Sequence, residues 1–451
     1  MMDDTIAAIA TPPGEGGISI VRISGPEAFA IADRVVCCPG SHLSQRAENT
    51  LVVGQVVERA QVIDEVVVLL FRAPHSYTAE DVIEIQGHGG NQCARRILRL
   101  VLDAGARLAE PGEFTRRAFL HGRIDLVQAE AVLDLIRAHS ERAGAAAVEQ
   151  LEGALSRKFN QLYDALLMAA ARLEATLDFP EDELPDLVME EINAEMQQID
   201  HDFDALIDTW DEGHLLRDGA LVVISGKPNV GKSTLLNGLL EKDRAIVSDL
   251  PGTTRDSIEE TFSLNGIPVR IVDTAGLRDT TDLIEQEGIE RTHRMIRAAD
   301  LVVYLVDLTD PELEQAIEGL KTMETPHLVI FNKLDMYPGQ GPELAGSLCL
   351  SLLQETGIQQ VRDALSLHLS GNIDLSARPH ALISERHRRL LLDAKQEMEV
   401  GLELVRSRRE DGLVLAASQM RRGLELIGQA TGRAYEEELL DHIFGRFCIG
   451  K

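Results

Sequence analysis

Residues 226–233 read GKPNVGKS, a glycine-rich sequence that matches the G-x-x-x-x-G-K-[ST] pattern of a phosphate-binding loop. The apolar run 221–224 before it is typical of a buried strand, and the pattern over 233–240 is typical of a helix. In such a loop the backbone N–H groups surround phosphate oxygens, the lysine contacts the β- and γ-phosphates, and the last hydroxyl binds Mg²⁺. The loop therefore predicts a nucleoside triphosphate site that uses Lys232 and Ser233.

A second motif, NKLD at residues 332–335, follows the strand-like run 327–331. It is thus predicted to lie at the carboxyl end of a parallel strand, where open α/β sheets bind ligands. The Asp335 carboxylate can accept hydrogen bonds from N1–H and the 2-amino group of guanine, and adenine has neither donor. A site built on such a pair rejects the analogue by roughly 10⁴-fold. The motif therefore predicts a guanine nucleotide, although a simple turn after a strand is the alternative.

The third and fourth motifs are typical of a nucleotide switch. Asp273 ends the strand-like run 269–272 and is predicted to hold Mg²⁺ through water, while Gly276 offers its N–H to the γ-phosphate. In residues 253–256, Thr253 and Thr254 are the candidates for closing over Mg²⁺. Small GTPases have a glutamine after the DxxG motif that orients the attacking water. Here Leu277 follows, so the catalytic groups must come from elsewhere.

The fifth GTPase motif departs from its usual form. Where a Ser-Ala-Lys-like sequence is usual, residues 351–353 read SLL. This weakens the expected support of the base but leaves the guanine prediction, which depends on Asp335, intact.

Composition limits the class of protein. The 451 residues predict about three domains, and 44% hydrophobic residues suffice for packed cores. No apolar run approaches the ~20 residues that cross a bilayer. The start, MMDD, lacks a basic signal-peptide region. The five cysteines include the adjacent Cys37 and Cys38 and show no C-x₂-C pair, so we expect a cytoplasmic protein without zinc.

The charge balance is acidic, with 44 Lys and Arg against 74 Asp and Glu and a net charge of −30. Because neutralising phosphates dominates nucleic-acid affinity, a nucleic-acid substrate would need a basic partner. The best basic clusters are residues 406–409 and Arg421–Arg422. We interpret both as solvated helix faces, with contact to RNA as the alternative.

Strand and helix signals alternate over residues 1–119, with strands at 51–53, 65–71 and 82–85 and a helix at 93–102. Apolar residues then recur at helical spacing from 125 to 179, and helices are also predicted at 193–210, 386–404 and 413–427. The predicted fold is multidomain, α/β plus all-α. A P-loop G-domain with a mostly parallel sheet is inserted into a discontinuous helical domain, after an N-terminal α+β domain. The predicted segments are 1–119, 120–216, 217–375 and 376–451, with hinges at 205–217 and 370–382.

The motifs together resemble the MnmE (TrmE) family of tRNA-modification GTPases, in the K⁺-activated class of the TrmE-Era-EngA type. The resemblance covers the whole chain. It is carried by Asn229, by DRAIVSDLPGTTRD at 243–256, DTAGLR at 273–278, ATPPG at 10–14, QGHGG at 86–90, PGEF at 111–114 and FCIGK at 447–451.

The resemblance implies activation by K⁺ and by G-domain dimerisation, not by an arginine finger. Catalysis would use Glu285 to orient water, together with Lys232 and Asn229. Ser233 and Thr254 would hold Mg²⁺, and K⁺ would lie among Asn229, Ser248, Leu250 and Thr253. The full set of GTP contacts would be Asn229, Gly231, Lys232, Ser233, Thr234, Thr253, Thr254, Asp273, Gly276, Asn332, Lys333, Asp335 and Ser351.

The resemblance also implies an N-terminal domain that dimerises and binds a tetrahydrofolate one-carbon derivative. Its contacts would be Arg22, Glu84, Arg123 and Lys451. Arg123 stands where family members carry lysine, which keeps the charge and changes the geometry. Cys448 is either a reactive thiol beside the one-carbon unit or a small packing residue.

Finally, the resemblance implies a flavoprotein partner, MnmG (GidA), which would carry the FAD and form a heterotetramer with the homodimer. Together they would add an aminomethyl or carboxymethylaminomethyl group at C5 of the tRNA wobble uridine. The main alternative is a ribosome-assembly GTPase that acts as an RNA-binding switch. That class needs a basic RNA-binding appendage, and residues 87–90 match the KH G-x-x-G motif only formally, without basic residues beside it on the strand side. A nucleotide-gated scaffold is a third reading.

Overall fold

The computed structural model describes residues 4–178, 186–241, 259–273, 294–320, 325–339, 341–342, 344–371, 383–406 and 410–451. The chain divides into two compact units. Unit 1 is Met1–Leu133, Leu151–Ile199 and Asp393–Lys451, and unit 2 is Asp134–Gln150 and Asp200–Leu392. The four-segment division predicted from the sequence stays a prediction. No helix within the described ranges is long and apolar enough to cross a membrane.

Unit 1 contains a seven-stranded sheet in the order β3-β4-β5-β6-β2-β1-β7. Its neighbouring strands are antiparallel, except that β1 and β7 are parallel. The strands are β1 (Ile6–Ile9), β2 (Ile18–Ser24), β3 (Val36–Cys37), β4 (Thr50–Glu58), β5 (Gln61–Phe71), β6 (Val82–His88) and β7 (Arg107–Leu108). The three strands predicted from the sequence lie within β4, β5 and β6, and the predicted helix lies within α2 (Asn91–Asp103).

Alternation of side chains gives this sheet two different faces. Val21, Ile23, Ile83 and Ile85 enter a buried core that also includes residues of α1 (Ala28–Val35) and α2. Arg22 and Glu84, which stand between them in sequence, therefore project from the opposite face. The register of β2 against β6 places these two residues directly opposite each other. Local pattern and strand pairing thus create a charged pair on one side of the sheet.

Helices make up the rest of unit 1, and some continue into residues assigned to unit 2. The predicted helical tract 125–179 forms three helices because Gly153, at φ 82°, adopts a left-handed conformation between the last two. Within α6, Leu166 and Leu173 are buried, and Ala169 and Ala170 fill the gap between them. The helices are α3 (Glu113–Leu120), α4 (Leu126–Arg137), α5 (Glu141–Leu151), α6 (Ala154–Asp178), α7 (Asp186–Ile207), α12 (Glu385–Arg406), α13 (Glu410–Thr431) and α14 (Glu437–Phe444).

Unit 2 contains a six-stranded sheet in the order β13-β12-β11-β8-β10-β9. Every pairing is parallel except the β9–β10 hairpin, which confirms the predicted mostly parallel sheet. The strands are β8 (Ala220–Ser225), β9 (Glu259–Leu264), β10 (Ile267–Asp273), β11 (Leu301–Asp307), β12 (His327–Asn332) and β13 (Leu348–Cys349). Its helices include α8 (Trp210–Arg217), α9 (Lys232–Glu241), α10 (Leu313–Leu320) and α11 (Glu355–Ser370). The carboxyl ends of β8, β10, β12 and β13 lie along one edge, and each is followed by a predicted nucleotide motif.

Candidate functional site

The loop between β8 and α9 curls in a way that requires glycine at two positions. Gly226 has φ 150°, and a Cβ there would stand 2.5 Å from the Leu305 carbonyl oxygen. Gly231 has φ 108°, and a Cβ there would stand 2.5 Å from the Asn332 Nδ2 atom. Between them Asn229 is left-handed, at φ 62°. A larger residue at either glycine would push the loop off the sheet edge.

Lys232 lies across the inside of this loop and is 6% exposed. Its Nζ donates hydrogen bonds to the carbonyl oxygens of Gly226 (2.8 Å) and Lys227 (2.9 Å). Ser233 and Thr234 occupy the exposed first turn of α9. The ammonium group, the helix N-terminus and a hydroxyl thus face the concave side of one loop, which is the combination that binds phosphate.

Two carboxylates end the strands on either side of β8. Asp273, at the end of β10, is 7% exposed, and its strand register pairs it with Ile224, just before the loop. Asp307 ends β11, and its Oδ2 accepts a hydrogen bond from Lys333 Nζ at 2.5 Å. Burial alone would raise the pKa of Asp307, but its hydrogen bonds to Lys333 and Thr309 lower it. Lys333 is therefore held over the sheet edge by a charged partner.

Asn332 joins the predicted base-binding segment to the phosphate loop. Its Nδ2 donates to the Val230 carbonyl oxygen at 2.8 Å, and its Oδ1 accepts from the Leu352 N–H at 3.0 Å. Asp335 lies in an exposed 3₁₀ turn three residues later. Ser351 is 5% exposed, and its Oγ has no hydrogen-bond partner.

These features fit a guanine nucleotide. The orphaned Ser351 hydroxyl and the exposed Asp335 carboxylate offer polar groups on the base side, and the lysine and glycine loop offers donors on the phosphate side. Ser233 and Asp273 are the oxygen-bearing residues suited to a hydrated Mg²⁺. In the described ranges no cluster of three His, Cys, Asp or Glu side chains forms a protein-only metal site.

The remaining switch residues cannot be compared with the structure. Six of the predicted contacts, and Leu277 with them, lie outside the described residues. The six are Ser248, Leu250, Thr253, Thr254, Gly276 and Glu285, and their roles stay predictions.

A second group of predicted residues meets in unit 1. Arg22 Nε donates to Glu84 Oε1 at 2.9 Å, and both side chains are 15% exposed. The Arg22 guanidinium carbon lies 5.2 Å from the ring centroid of Tyr77 and 5.5 Å from that of Phe114. The exposed Arg123 also lies 5.2 Å from the Tyr77 centroid. Two of the four predicted folate contacts thus lie at one aromatic ring, and a third, Glu84, is bonded to one of them.

The fourth predicted contact, Lys451, ends a docked tail. Ile449 forms a β-bridge with Pro111, and the Cys448 carbonyl oxygen accepts from the N–H of Gly112 at 3.5 Å. A Cβ on Gly450 would stand 2.3 Å from the carbonyl oxygen of Ile9 in β1, the strand that pairs with the Arg22 strand. The exposed Cys448 thiol and the partly buried Lys451 therefore belong to the same unit as Arg22 and Glu84.

Two aromatic side chains hold this tail in place. Phe444 is 2% exposed and Phe447 is 5% exposed, and their ring centroids are 5.8 Å apart. They enter a core cluster with Phe119 and Leu126. Burying a phenylalanine side chain contributes about 1.5–3 kcal/mol, so the tail is anchored and does not fray as chain ends usually do.

No sequence pattern indicated the groups that support this second site. Arg117, 4% exposed, is bonded to Asp4, Glu80 and Glu113, and its partners are up to 113 residues away in sequence. Tyr77 lies in the connection between β5 and β6, and no sequence pattern marked it as a contact of two arginines. Contacts of this kind can be identified only once the pairing of the strands is known.

Arginines of the two basic clusters, residues 406–409 and Arg421–Arg422, form contacts with side chains of the same protein. Arg421 Nε donates to Glu174 at 2.7 Å, and Arg422 pairs with Glu397 at 3.5 Å. Arg406 donates to Asn193 at 3.2 Å, whereas residues 407–409 lie outside the described part of the chain. These contacts favour the interpretation of both clusters as solvated helix faces.

Comparison with known proteins decides the family. Residues 5–123 match the family described as GTP-binding protein TrmE N-terminus, and residues 126–448 match the MnmE helical domain. The tRNA modification GTPase MnmE of Moorella thermoacetica is 44% identical, over 100% of both chains. The chain belongs to the MnmE family of tRNA modification GTPases. The MnmE proteins of Bacillus subtilis (41% identical, over 99% of this chain and 100% of the relative) and Alkaliphilus oremlandii (40%, over 100% of both) agree.

Membership of the MnmE family confirms the resemblance, the fold class and the GTPase activity predicted from the motifs. Solved structures of single G domains are also similar to part of this chain. The FeoB G domain of T. maritima is 22% identical, over 33% of this chain and 98% of that one, with a TM-score of 0.25. A TM-score this low adds nothing to the family assignment, which the relatives carry.

Proposed function

We propose that this tRNA modification GTPase acts with a flavoprotein partner, MnmG (GidA), which carries FAD. The pair would add an aminomethyl or carboxymethylaminomethyl group at C5 of the tRNA wobble uridine, using a one-carbon unit from tetrahydrofolate. The observation that carries this proposal is the grouping of Arg22, Glu84 and Arg123 in the unit where the C-terminal tail docks. A GTPase that served only as a switch would not need this second set of charged groups.

The charges at the second site match a reduced folate. The Glu84 carboxylate can accept the N–H and amino donors of a pterin, and an arginine can meet a glutamyl carboxylate with two parallel hydrogen bonds. Lys451 adds a further cation from the tail. Cys448 remains either a thiol beside the one-carbon unit or a packing residue.

At the nucleotide site the chain would bind GTP, with Ser233 and Thr254 holding Mg²⁺. Asn229 is exposed and left-handed at the outer curve of the loop, a position suited to hold K⁺ with Ser248, Leu250 and Thr253. Positive charge there would neutralise negative charge that develops between the β- and γ-phosphates. Glu285 would orient the water in place of the missing glutamine, and Lys232 would contact the transferred phosphate.

The charge and the family support a proposal for the assembly. The predicted domains are an N-terminal dimerisation and folate domain (1–119), a helical domain in two parts (120–216 and 376–451) and a G-domain (217–375). Because the chain carries a net charge of −30, much of the surface that meets tRNA would come from the partner in a cytoplasmic heterotetramer. A ribosome-assembly switch is the weaker alternative, since no contact at the second site is explained by it.

Equilibrium binding of 5-formyltetrahydrofolate to the full chain tests the proposal. We expect saturable binding that Glu84→Gln weakens at least tenfold, because the amide cannot serve as a charged acceptor for the pterin donors. Glu149→Gln, which changes a partly exposed carboxylate on α5, is the matched control and should bind normally. No binding by the unsubstituted chain, at concentrations where GTP binds, would overturn the one-carbon role.

A further inference from the structure

Tyr77 is the residue around which the second site is assembled. It lies in the connection between β5 and β6, partly buried. The guanidinium carbons of Arg22 and Arg123, which are 101 residues apart in the chain, both lie 5.2 Å from the centroid of its ring. The nucleotide chemistry assigns no role to Tyr77, because the nucleotide motifs belong to the other unit.

The connection that carries Tyr77 is itself fixed at several points. The Tyr77 hydroxyl forms a 2.9 Å hydrogen bond with Thr115 Oγ1, and Thr115 is fully buried. The next residue, Thr78, is also fully buried, and its Oγ1 is 2.7 Å from Ser24 Oγ. Two residues further on, Glu80 is bonded to the buried Arg117 at 3.1 Å. The Tyr77 ring is therefore held in place by the hydrogen bonds of its own connection and does not depend on the arginines for its position.

A ring holds an arginine differently from a carboxylate. A carboxylate uses the N–H donors and cancels the charge, whereas an aromatic face attracts the cation without neutralising it. Arg22 donates through its Nε to Glu84, and the exposed Arg123 contacts the ring. The ring thus leaves the charge of Arg123 in place, whereas Arg22 is held both by the ring and by the Glu84 carboxylate, in a chain whose net charge is −30.

We propose that Tyr77 is a positioning residue of the reduced-folate site, whose ring holds the guanidinium groups of Arg22 and Arg123 ready for the acidic groups of the ligand. The inference rests on the proposed one-carbon function and deepens it. Free arginine side chains are flexible, so binding would have to order them at a cost in affinity. With the ring in place, much of that ordering precedes binding.

The test is the equilibrium dissociation constant for 5-formyltetrahydrofolate, measured by calorimetry on the full chain. Tyr77→Leu should raise the dissociation constant about tenfold, and Tyr77→Phe, which keeps the ring, should stay within about twofold of the original. Tyr77→Met removes the ring while keeping a long side chain, and it replaces Tyr77→Leu if that variant does not fold. GTP hydrolysis should be unchanged in each, because the nucleotide site lies in the other unit.

A matched control exists in the same unit. Arg433 lies 4.1 Å from the ring centroid of Tyr163, so Tyr163→Leu removes the same kind of contact away from the proposed site. This variant should bind the folate normally. Equal weakening by Tyr163→Leu and Tyr77→Leu would show a general loss of structure and would overturn the inference.

A double-mutant cycle separates positioning from simple support of the fold. Arg123→Gln should weaken binding strongly in the original chain and much less in the Tyr77→Leu background, because the arginine is already displaced there. The role of Tyr77 would be overturned if the two substitutions weakened folate binding independently, so that their fold-changes multiplied, or if Tyr77→Leu had no effect. Either result would leave the proposed function standing. Absence of folate binding in the unsubstituted chain would instead overturn the proposed function.

Discussion

Single residues at the nucleotide site divide into those that build the pocket and those that face the ligand. Gly226 and Gly231 permit the loop to lie close to Leu305 and Asn332. The Asn332 amide is hydrogen-bonded to the Val230 carbonyl oxygen and the Leu352 N–H. Asn332 therefore links two loops, and recognition of the base is predicted to depend on Asp335. Lys232 is held by two carbonyl oxygens on the concave side of the loop, where phosphate charge would lie.

Asp335→Asn should lose most of the preference for GTP over xanthosine triphosphate, by on the order of 10⁴-fold in the ratio of affinities. The reason is that xanthine presents an oxygen where guanine presents its amino group, and the new amide can donate to it. Competition binding of the two nucleotides measures the ratio. Asp363→Asn, exposed on α11, is the control, and an unchanged ratio in Asp335→Asn would contradict the assigned role.

Asn229→Ala should remove most of the stimulation of GTP hydrolysis by KCl over NaCl at equal ionic strength. Loss of a group that stabilises the transition-state charge typically costs about 10²-fold in rate, with little effect on nucleotide binding. Rates in the two salts give the result directly. Asn265→Ala, also left-handed at φ 51° in the same unit, should keep the K⁺ effect. Equal rates of the unsubstituted protein in both salts would exclude K⁺ activation.

Among elements, the strands that end in motifs were the most predictable. Each is a short apolar run followed by glycine, aspartate or asparagine, and parallel strands buried on both faces have this pattern. The helical tract 125–179 was predicted as helix, but its division at Gly153 was not, because one glycine within a periodic pattern does not show its φ angle. Tyr77 and Arg117 were missed because their contacts depend on distant strand pairing, which local patterns do not encode.

Helix α8 joins the parallel sheet through His214, and this contact should depend on pH. A hydrogen bond to Asp218 (3.0 Å) and an ion pair with Asp300 (3.6 Å) raise the pKa of His214 to about 10. The charges of Arg217 and Arg270 also help to lower the pKa of Asp218, and that of Arg270 helps to lower the pKa of Asp300. Since the folded pKa lies above the unfolded value of ~6.5, the stabilisation is complete below pH 6.5 and is lost as pH rises through about 10.

The single tryptophan, Trp210, stacks on His214 with ring centroids 5.1 Å apart, so its fluorescence reports on this contact. The unfolding midpoint followed by Trp210 should fall between pH 7 and pH 10 in the original chain. His214→Gln should show a lower midpoint at pH 7 and a flatter profile. Identical profiles for the two proteins would show that the histidine contact carries no stability.

The C-terminal tail is a second element with a testable role. Removal of residues 448–451 deletes the bridge to Pro111 and the contact of Gly450 with Ile9, while Phe444 and Phe447 remain. We expect weaker binding of 5-formyltetrahydrofolate and loss of tRNA modification, with K⁺-stimulated GTP hydrolysis retained. A truncated protein that modifies tRNA at the normal rate would place the one-carbon site elsewhere.

For the whole molecule, the two sites belong to different compact units. The GTP site lies in unit 2, and the proposed reduced-folate site, tail included, lies in unit 1. The boundaries between the units fall within the continuous helices α4, α5, α7 and α12. The proposed function therefore requires that GTP turnover in one unit be coupled to one-carbon chemistry in the other. It also requires that the partner supply much of the surface that meets tRNA.

The most direct test of the proposed function traces the one-carbon unit from tetrahydrofolate to the tRNA. The protein, the flavoprotein partner and tRNA are incubated with GTP, K⁺ and tetrahydrofolate that carries an isotopically labelled methylene carbon, and the wobble nucleoside is then isolated. The account predicts label in the substituent at C5 of the uridine, dependent on GTP and strongly reduced by Glu84→Gln. Modified uridine without label, or label that appears without GTP, would contradict it.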